Sequence, residues 1–203
     1  MSQRFSDCWK NVGGSPLVNP WGFLFDFYNE KDRAYHNMDH ILQGLKEIDL
    51  AKKFLEKPSE LELAWYFHDA IYDPKRKDNE EKSAEFLRAT LNSSSVSNDR
   101  LKTMKQLILD TKHLEVPKTY DGKFICDIDL SIFGKSEIIY NKYAENIRKE
   151  YLGVPLKDYK AHRAEVLKRF LERPAIYYTE FFSQRYGEVA RKNLEREIES
   201  LSQ

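Results

Sequence analysis

The sequence predicts an all-α fold, a single compact multi-helix bundle spanning residues 1–203. Three observations carry this. Glycine and proline are scarce, eight and seven among 203 residues; apolar residues recur three and four positions apart along most of the chain; and the one stretch that alternates like a strand has no second strand to pair with. With 41% hydrophobic and 13% aromatic residues the chain has the apolar surface of a folded core, which excludes global disorder. Lys plus Arg (33) equals Asp plus Glu (33), so no net positive field draws it to nucleic acid or anionic lipid.

The elements follow in order. Residues 38–55 form the first clear helix: Met38, Ile41, Leu42, Leu45, Ile48 and Leu55 share a stripe, Asn37 stands as N-cap and Pro58 marks the break. The next helix opens at Ser59, with Glu62 at capping-box spacing, and runs through LELAWYFHDAIYD until Asp73-Pro74 stops it. It is apolar nearly all round, which places it at the centre of a bundle and demands a partner for each polar group on it. A basic turn over 74–77 leads to Asn79, cap of a helix through Ala84, Leu87 and Leu91 that ends in the loop NSSSVSN at 92–98. A fourth helix carries Leu101, Met104, Leu107, Ile108 and Thr111. After the turn-rich VPKTYDGK comes FICDIDLSIFG, which fits both periods. Phe124, Cys126, Ile128 and Leu130 alternate, whereas Ile125, Ile128 and Ile132 suit a helix; the absence of a partner strand favours the helix. Further helices are expected at about 136–152, 157–171 and 177–201, with the chain ends, roughly 1–20 and 175–203, wrapping the core.

Cys8 and Cys126 form neither a disulfide framework nor a CxxC clip, a usage that fits a reducing compartment. No apolar run approaches the ~18 residues of a membrane span, and the opening MSQRFSDCWKNVGG lacks a signal-peptide apolar stretch. The expectation is a soluble cytoplasmic protein with no membrane partner. The aromatic IYYTEFFSQRY near the C-terminus either packs with the last helix or offers a homodimer face.

Chemistry concentrates at three places. His68-Asp69 sits inside WYFHDAIY, the most apolar helical stretch, where burying an imidazole beside a carboxylate is costly unless both are hydrogen-bonded, paired or bound to a metal. Adjacent helical residues diverge by about 100°, so one ion near the bisector would satisfy both. The bland reading is a His bonded to a carbonyl and an Asp paired with a Lys or Arg. In RAYHNMDH, His36 and His40 share a face if the helix already includes His36, one ligating and the other assisting; HxxxH alone is more often two ordinary histidines. In CDIDLS, Asp127 and Asp129 lie among apolar neighbours and are, read alone, as much a cap or surface pair as ligands.

In combination, a His, a later His-Asp on a buried helix and a still later Asp before Leu resemble the HD superfamily of metal-dependent phosphohydrolases. The strings YHNMDH, FHDAIYD, DNEEKSA, TKH, DIDLSIFG and YAENIRKEY extend the likeness over roughly residues 30–172 to a branch of predicted phosphohydrolases. The resemblance implies His36, His68, Asp69 and Asp129 as metal ligands, with Asp127 the fallback for the last. His113 and His40 stand where some members carry histidines for a second metal, but one metal is the expectation. Two imidazoles and two carboxylates suit Mn, Fe, Co, Ni or Zn better than Mg or Ca. The reaction implied is cleavage of a phosphoester of a nucleotide or other small phosphorylated metabolite by a metal-activated water.

Within that reading Asp69 orients the water, and Asp73, one helical turn on, or Glu80 serves as general acid or base. Their structural alternatives are helix termination before Pro74 and a favourable charge at a helix N-terminus. Arg33, His40, Lys112 and Arg148 are the substrate-binding candidates, with Arg163 a further cation; each cation taken singly is as readily a surface ion pair. Tyr35, Trp65 and Tyr72 either stack on a base or sugar or belong to the core. The competing function is a non-catalytic, metal-containing ligand-sensing or interaction protein of the same fold.

Overall fold

The computed structural model describes residues 1–92 and 94–202. Ser93, in the loop expected at 92–98, and Gln203 lie outside the described residues. Among the described residues the chain is all-helical, with ten α-helices, two short 3-10 segments and no strand. They divide into two compact units, Met1–Ile125 and Cys126–Gln203.

The first unit contains α1 (Ser2–Val12), α2 (Trp21–Tyr28), α3 (Met38–Ala51), α4 (Pro58–Phe67), α5 (Asn79–Thr90), α6 (Asn98–Asp110) and the start of α7 (Tyr120–Asp129). Two of these, α1 and α2, precede the first helix expected from the sequence. In α1, Phe5, Cys8, Trp9 and Val12 form a buried stripe, and Gly13 ends the helix at φ 95°, a conformation that suits a residue without a side chain. At α3 the expected cap holds, with the Asn37 side chain accepting from the Asp39 amide at 2.9 Å.

Helix α4 packs against α1, α3 and α6, and its Leu61, Leu63, Ala64, Trp65, Tyr66 and Phe67 are all buried. Its polar residues find partners, as burial requires. Glu62 pairs with Arg4 of α1 at 2.8 Å and Glu60 with Arg100 of α6 at 2.8 Å. The anticipated Ser59/Glu62 capping box therefore does not form. Pro58 instead opens the helix, and the Asp121 carboxylate accepts from the amides of Glu56 and Lys57 at 2.9 and 2.7 Å. At its other end α4 stops at Phe67, well before Asp73-Pro74.

The second unit contains the rest of α7, a 3-10 turn at Leu130–Gly134, α8 (Glu137–Glu150), α9 (Leu156–Leu171) and α10 (Glu180–Leu201), with α10 against the 3-10 turn and α9. FICDIDLSIFG is helix followed by 3-10 turn, as the missing partner strand suggested. Asp127 is fully buried and both its carboxylate oxygens are engaged: they accept from the Tyr178 amide (2.7 Å), the Thr179 amide (2.7 Å) and the Thr179 hydroxyl (2.6 Å). Thr179 in turn caps α10. This corrects the fallback reading of Asp127 as a metal ligand. Arg163 forms a buried pair with Glu197 at 2.8 Å and donates to the Tyr143 hydroxyl at 3.1 Å, so it too serves the core. Ile176, Tyr177 and Phe182 of the aromatic stretch are buried in this unit. No helix among the described residues is long and apolar enough to cross a membrane.

Because three donors lose their acceptor at once, Asp127→Ala should cost about 2–4 kcal/mol of stability in urea unfolding. Asp127→Asn should recover part of that; a loss below about 0.5 kcal/mol for the alanine variant would contradict the capping role.

Candidate metal centre

The end of α4 is defined by where its last carbonyls go. Those of a helix's last turn have no partner within the helix and need one elsewhere. The Trp65 carbonyl accepts from His68 Nδ1 at 2.7 Å, the Tyr66 carbonyl from the Tyr28 hydroxyl at 3.1 Å, and the Phe67 carbonyl from the Ala70 amide at 3.0 Å. Beyond the helix, the carbonyls of Asp69 and Ala70 accept from Arg33, at 2.6 and 2.9 Å, and Ser83 bonds both the amide (3.1 Å) and the carbonyl (3.3 Å) of Ile71. These tertiary bonds replace helical ones. His68 is consequently the C-cap of α4 and Asp69 sits in the turn after it.

This arrangement turns His68 and Asp69 toward one point, where His40 from the first turn of α3 meets them. His68 Nε2 lies 3.1 Å from His40 Nε2 and 3.0 Å from Asp69 Oδ2, and His40 Nε2 lies 3.6 Å from the same oxygen. All three residues are buried. Ligand atoms at about 2.1 Å from one ion stand roughly 3.0–3.4 Å apart; the 3.0 and 3.1 Å separations fall in that range and the 3.6 Å separation lies just above it, a spacing compatible with a shared coordination shell. The tautomer agrees: Nδ1 of His68 donates to a carbonyl, so the neutral ring presents a lone pair at Nε2, inside the group. His40, His68 and Asp69 together can hold a metal ion.

The surroundings fix the rings. Trp65 stacks on His68 with centroids 4.1 Å apart and 17° between planes, lies 4.9 Å from the His40 ring, and donates its indole N–H to the Ile41 carbonyl at 3.0 Å. Trp65 is thus a wall of the centre, fully buried, and not a surface for a base or sugar. Burial by itself would raise the Asp69 carboxyl, but the adjoining His68 imidazole, with His36 and His40 behind it, outweighs this and holds it well below the usual carboxylate range.

The other residues singled out in the sequence distribute as follows. His36 lies in the turn before α3, its ring 5.9 Å from that of His40 and stacked on Tyr72 at 4.2 Å; Tyr35 is 5.0 Å from the His40 ring. These three rings are half-buried beside the group. The group's second imidazole is thus His40, assigned from the sequence to substrate. Its position on the first turn after the Asn37 cap is the signal that could have found it. Asp129, half-buried at the end of α7, belongs to the second unit, and its place in a ligand set rests on the resemblance alone.

Asp73 is not on a helix, so it does not share a face with Asp69. Its Oδ1 accepts from the Lys75 amide at 2.9 Å, and Asn79, expected as a cap, grips its backbone on both sides at 3.1 and 2.9 Å. Glu80, near the start of α5, is half-buried, and its carboxyl is raised by burial and by the nearby negative charge of Asp69. Lys112 bonds Glu81 at 2.5 Å and the Lys77 carbonyl at 3.1 Å, with Glu80 4.0 Å away. His113 follows at φ 58°. Arg148 donates to the carbonyls of Tyr151 (2.5 Å) and Val154 (3.2 Å), closing the end of its own helix. Arg33 is buried, its donors turned to the carbonyls already named. Each of these three cations is engaged with local structure.

Gly44 of α3 permits the wall: a Cβ there would lie 2.0 Å from Trp65 Cζ2. Gly44→Ala should therefore displace the indole, lower stability by about 1–3 kcal/mol through overpacking, and weaken cation binding measured by calorimetry. Unchanged melting and binding would show that the indole does not fix the imidazoles. Comparison with protein-family models, characterised proteins and solved structures finds no match to this chain.

Proposed function

We propose that this chain is a metal-dependent phosphohydrolase acting on a nucleotide or other small phosphorylated metabolite. The observation that supports it most is the convergence of His40 Nε2, His68 Nε2 and Asp69 Oδ2 within 3.6 Å at the end of a buried helix. Two imidazoles and a carboxylate favour Mn, Fe, Co, Ni or Zn over Mg or Ca, which prefer oxygen shells. When bound, such an ion supplies a Lewis acid that offsets phosphate charge and makes water acidic near neutral pH.

The chain's own residues supply the rest. His68, its Nδ1 donating to the Trp65 carbonyl, directs Nε2 into the group. Asp69 keeps its negative charge over the whole physiological range, so it accepts a hydrogen bond from an attacking water and orients it. Glu80, whose raised carboxyl retains a proton to higher pH than an exposed glutamate, is the general acid for a leaving oxygen. Tyr35, His36 and Tyr72 offer ring faces to the part of the substrate that carries no phosphate.

The test is a screen of nucleoside mono-, di-, tri- and cyclic phosphates with Mn, Co or Zn added to the purified chain. Phosphate release is expected with at least one class, and His68→Ala or Asp69→Ala should lower it at least about 100-fold. Full release by both variants overturns the catalytic assignment. Cation binding with no release from any class favours the sensing function.

A further inference from the structure

We infer that Arg33 is the positioning residue that sets the affinity of the centre for its cation. The inference rests on the reading that His40, His68 and Asp69 bind a divalent cation. Those residues come from two segments, the start of α3 and the end of α4, which must be held in register for three atoms to share one ion. Arg33 spans the gap. Its Nη1 donates to the His36 carbonyl at 3.3 Å and to the Asp69 carbonyl at 2.6 Å, and its Nη2 to the Ala70 carbonyl at 2.9 Å. The main-chain carbonyl of Arg33 accepts from Asn37 Nδ2 at 3.5 Å, and Asn37 caps the helix that carries His40. Arg33 thus links, through its side chain and its own carbonyl, the ligand-bearing turn after α4 to the cap of α3.

Two aromatic rings flank the guanidinium, and an exposed carboxylate meets its outer edge. It lies 5.3 Å from the Tyr28 ring centroid and 5.6 Å from that of Tyr72, and its Nε pairs with Glu30 at 2.8 Å on the exposed side. The residue is 7% exposed. A planar fork with donors in fixed directions can serve carbonyls from two segments at once, whereas the ammonium of lysine is a point charge on a flexible stem. Charge alone therefore does not replace Arg33. Groups that hold metal ligands in orientation typically contribute 10–100-fold to metal affinity.

The experiment compares Co and Zn binding by the full chain, Arg33→Lys and Arg33→Gln, with melting of the metal-free proteins and the visible spectrum of the Co forms. Expected are a wild type that binds, Arg33 variants weakened about 10–100-fold at temperatures where they remain folded, and an altered Co spectrum in both. Glu30→Gln, which removes only the exposed ion pair, should bind within about two-fold of wild type. Folded Arg33 variants with wild-type affinity and spectrum overturn this inference and leave the cation reading intact. A wild type that binds neither ion overturns the cation reading and this inference with it. If the Arg33 variants do not fold, nitrogen NMR of the unaltered chain decides. The Arg33 guanidinium signals should move at the same Zn equivalents as the His40 and His68 imidazoles, and signals that stay put overturn the inference.

Discussion

The hydrogen bond from His68 Nδ1 to the Trp65 carbonyl joins two requirements of the first unit. The end of a helix inside a protein has carbonyls that water cannot reach, and a buried imidazole has two nitrogens that each need a role. One 2.7 Å contact answers both, closing the last turn of α4 and leaving Nε2 facing inward. A helix continuing to Pro74 would have served those carbonyls with its own amides and carried His68 and Asp69 to diverging faces. Its early end, enforced by Tyr28, Arg33 and Ser83, is what brings the two side chains together.

Burial gives the centre its electrostatic character. Glu60 and Glu62 of α4 are matched by arginines, while Asp69, in the turn after the helix, is matched by imidazoles. In a site of low dielectric an ionised carboxylate beside two imidazoles is a strong attractor for a cation, and ring nitrogens select for metals of intermediate softness. The cations of the sequence are meanwhile drawn into scaffolding. Arg33, Lys112, Arg148 and Arg163 all end on carbonyls or carboxylates of the chain itself.

Much of the architecture was legible from local patterns. The Asn37 cap, the buried character of the WYF segment and the helical reading of FICDIDLSIFG all follow from spacing and residue type, which act over a few residues. The helices α1 and α2 were missed although Phe5, Cys8, Trp9 and Val12 carry a clear stripe. His68 and Asp69 stood out because polar groups inside an apolar run must be compensated. The identity of the compensating partner lay beyond local reading, since His40 is distant in sequence and reaches the group through the packing of α3 on α4.

The sequence by itself determined an all-helical chain, the helix start at the Asn37 cap, and the presence of an imidazole and carboxylate that had to be neutralised in a core. These depend on torsional preference, capping and hydrophobic period, which are short-ranged. Tertiary structure decided where α4 stops, which histidine joins His68, that Asp127 closes a helix, and that Arg33 turns its donors to the main chain. Each of these is a choice among hydrogen-bond partners far apart in sequence, and such a choice is made only when packing brings particular donors within about 3 Å of particular acceptors.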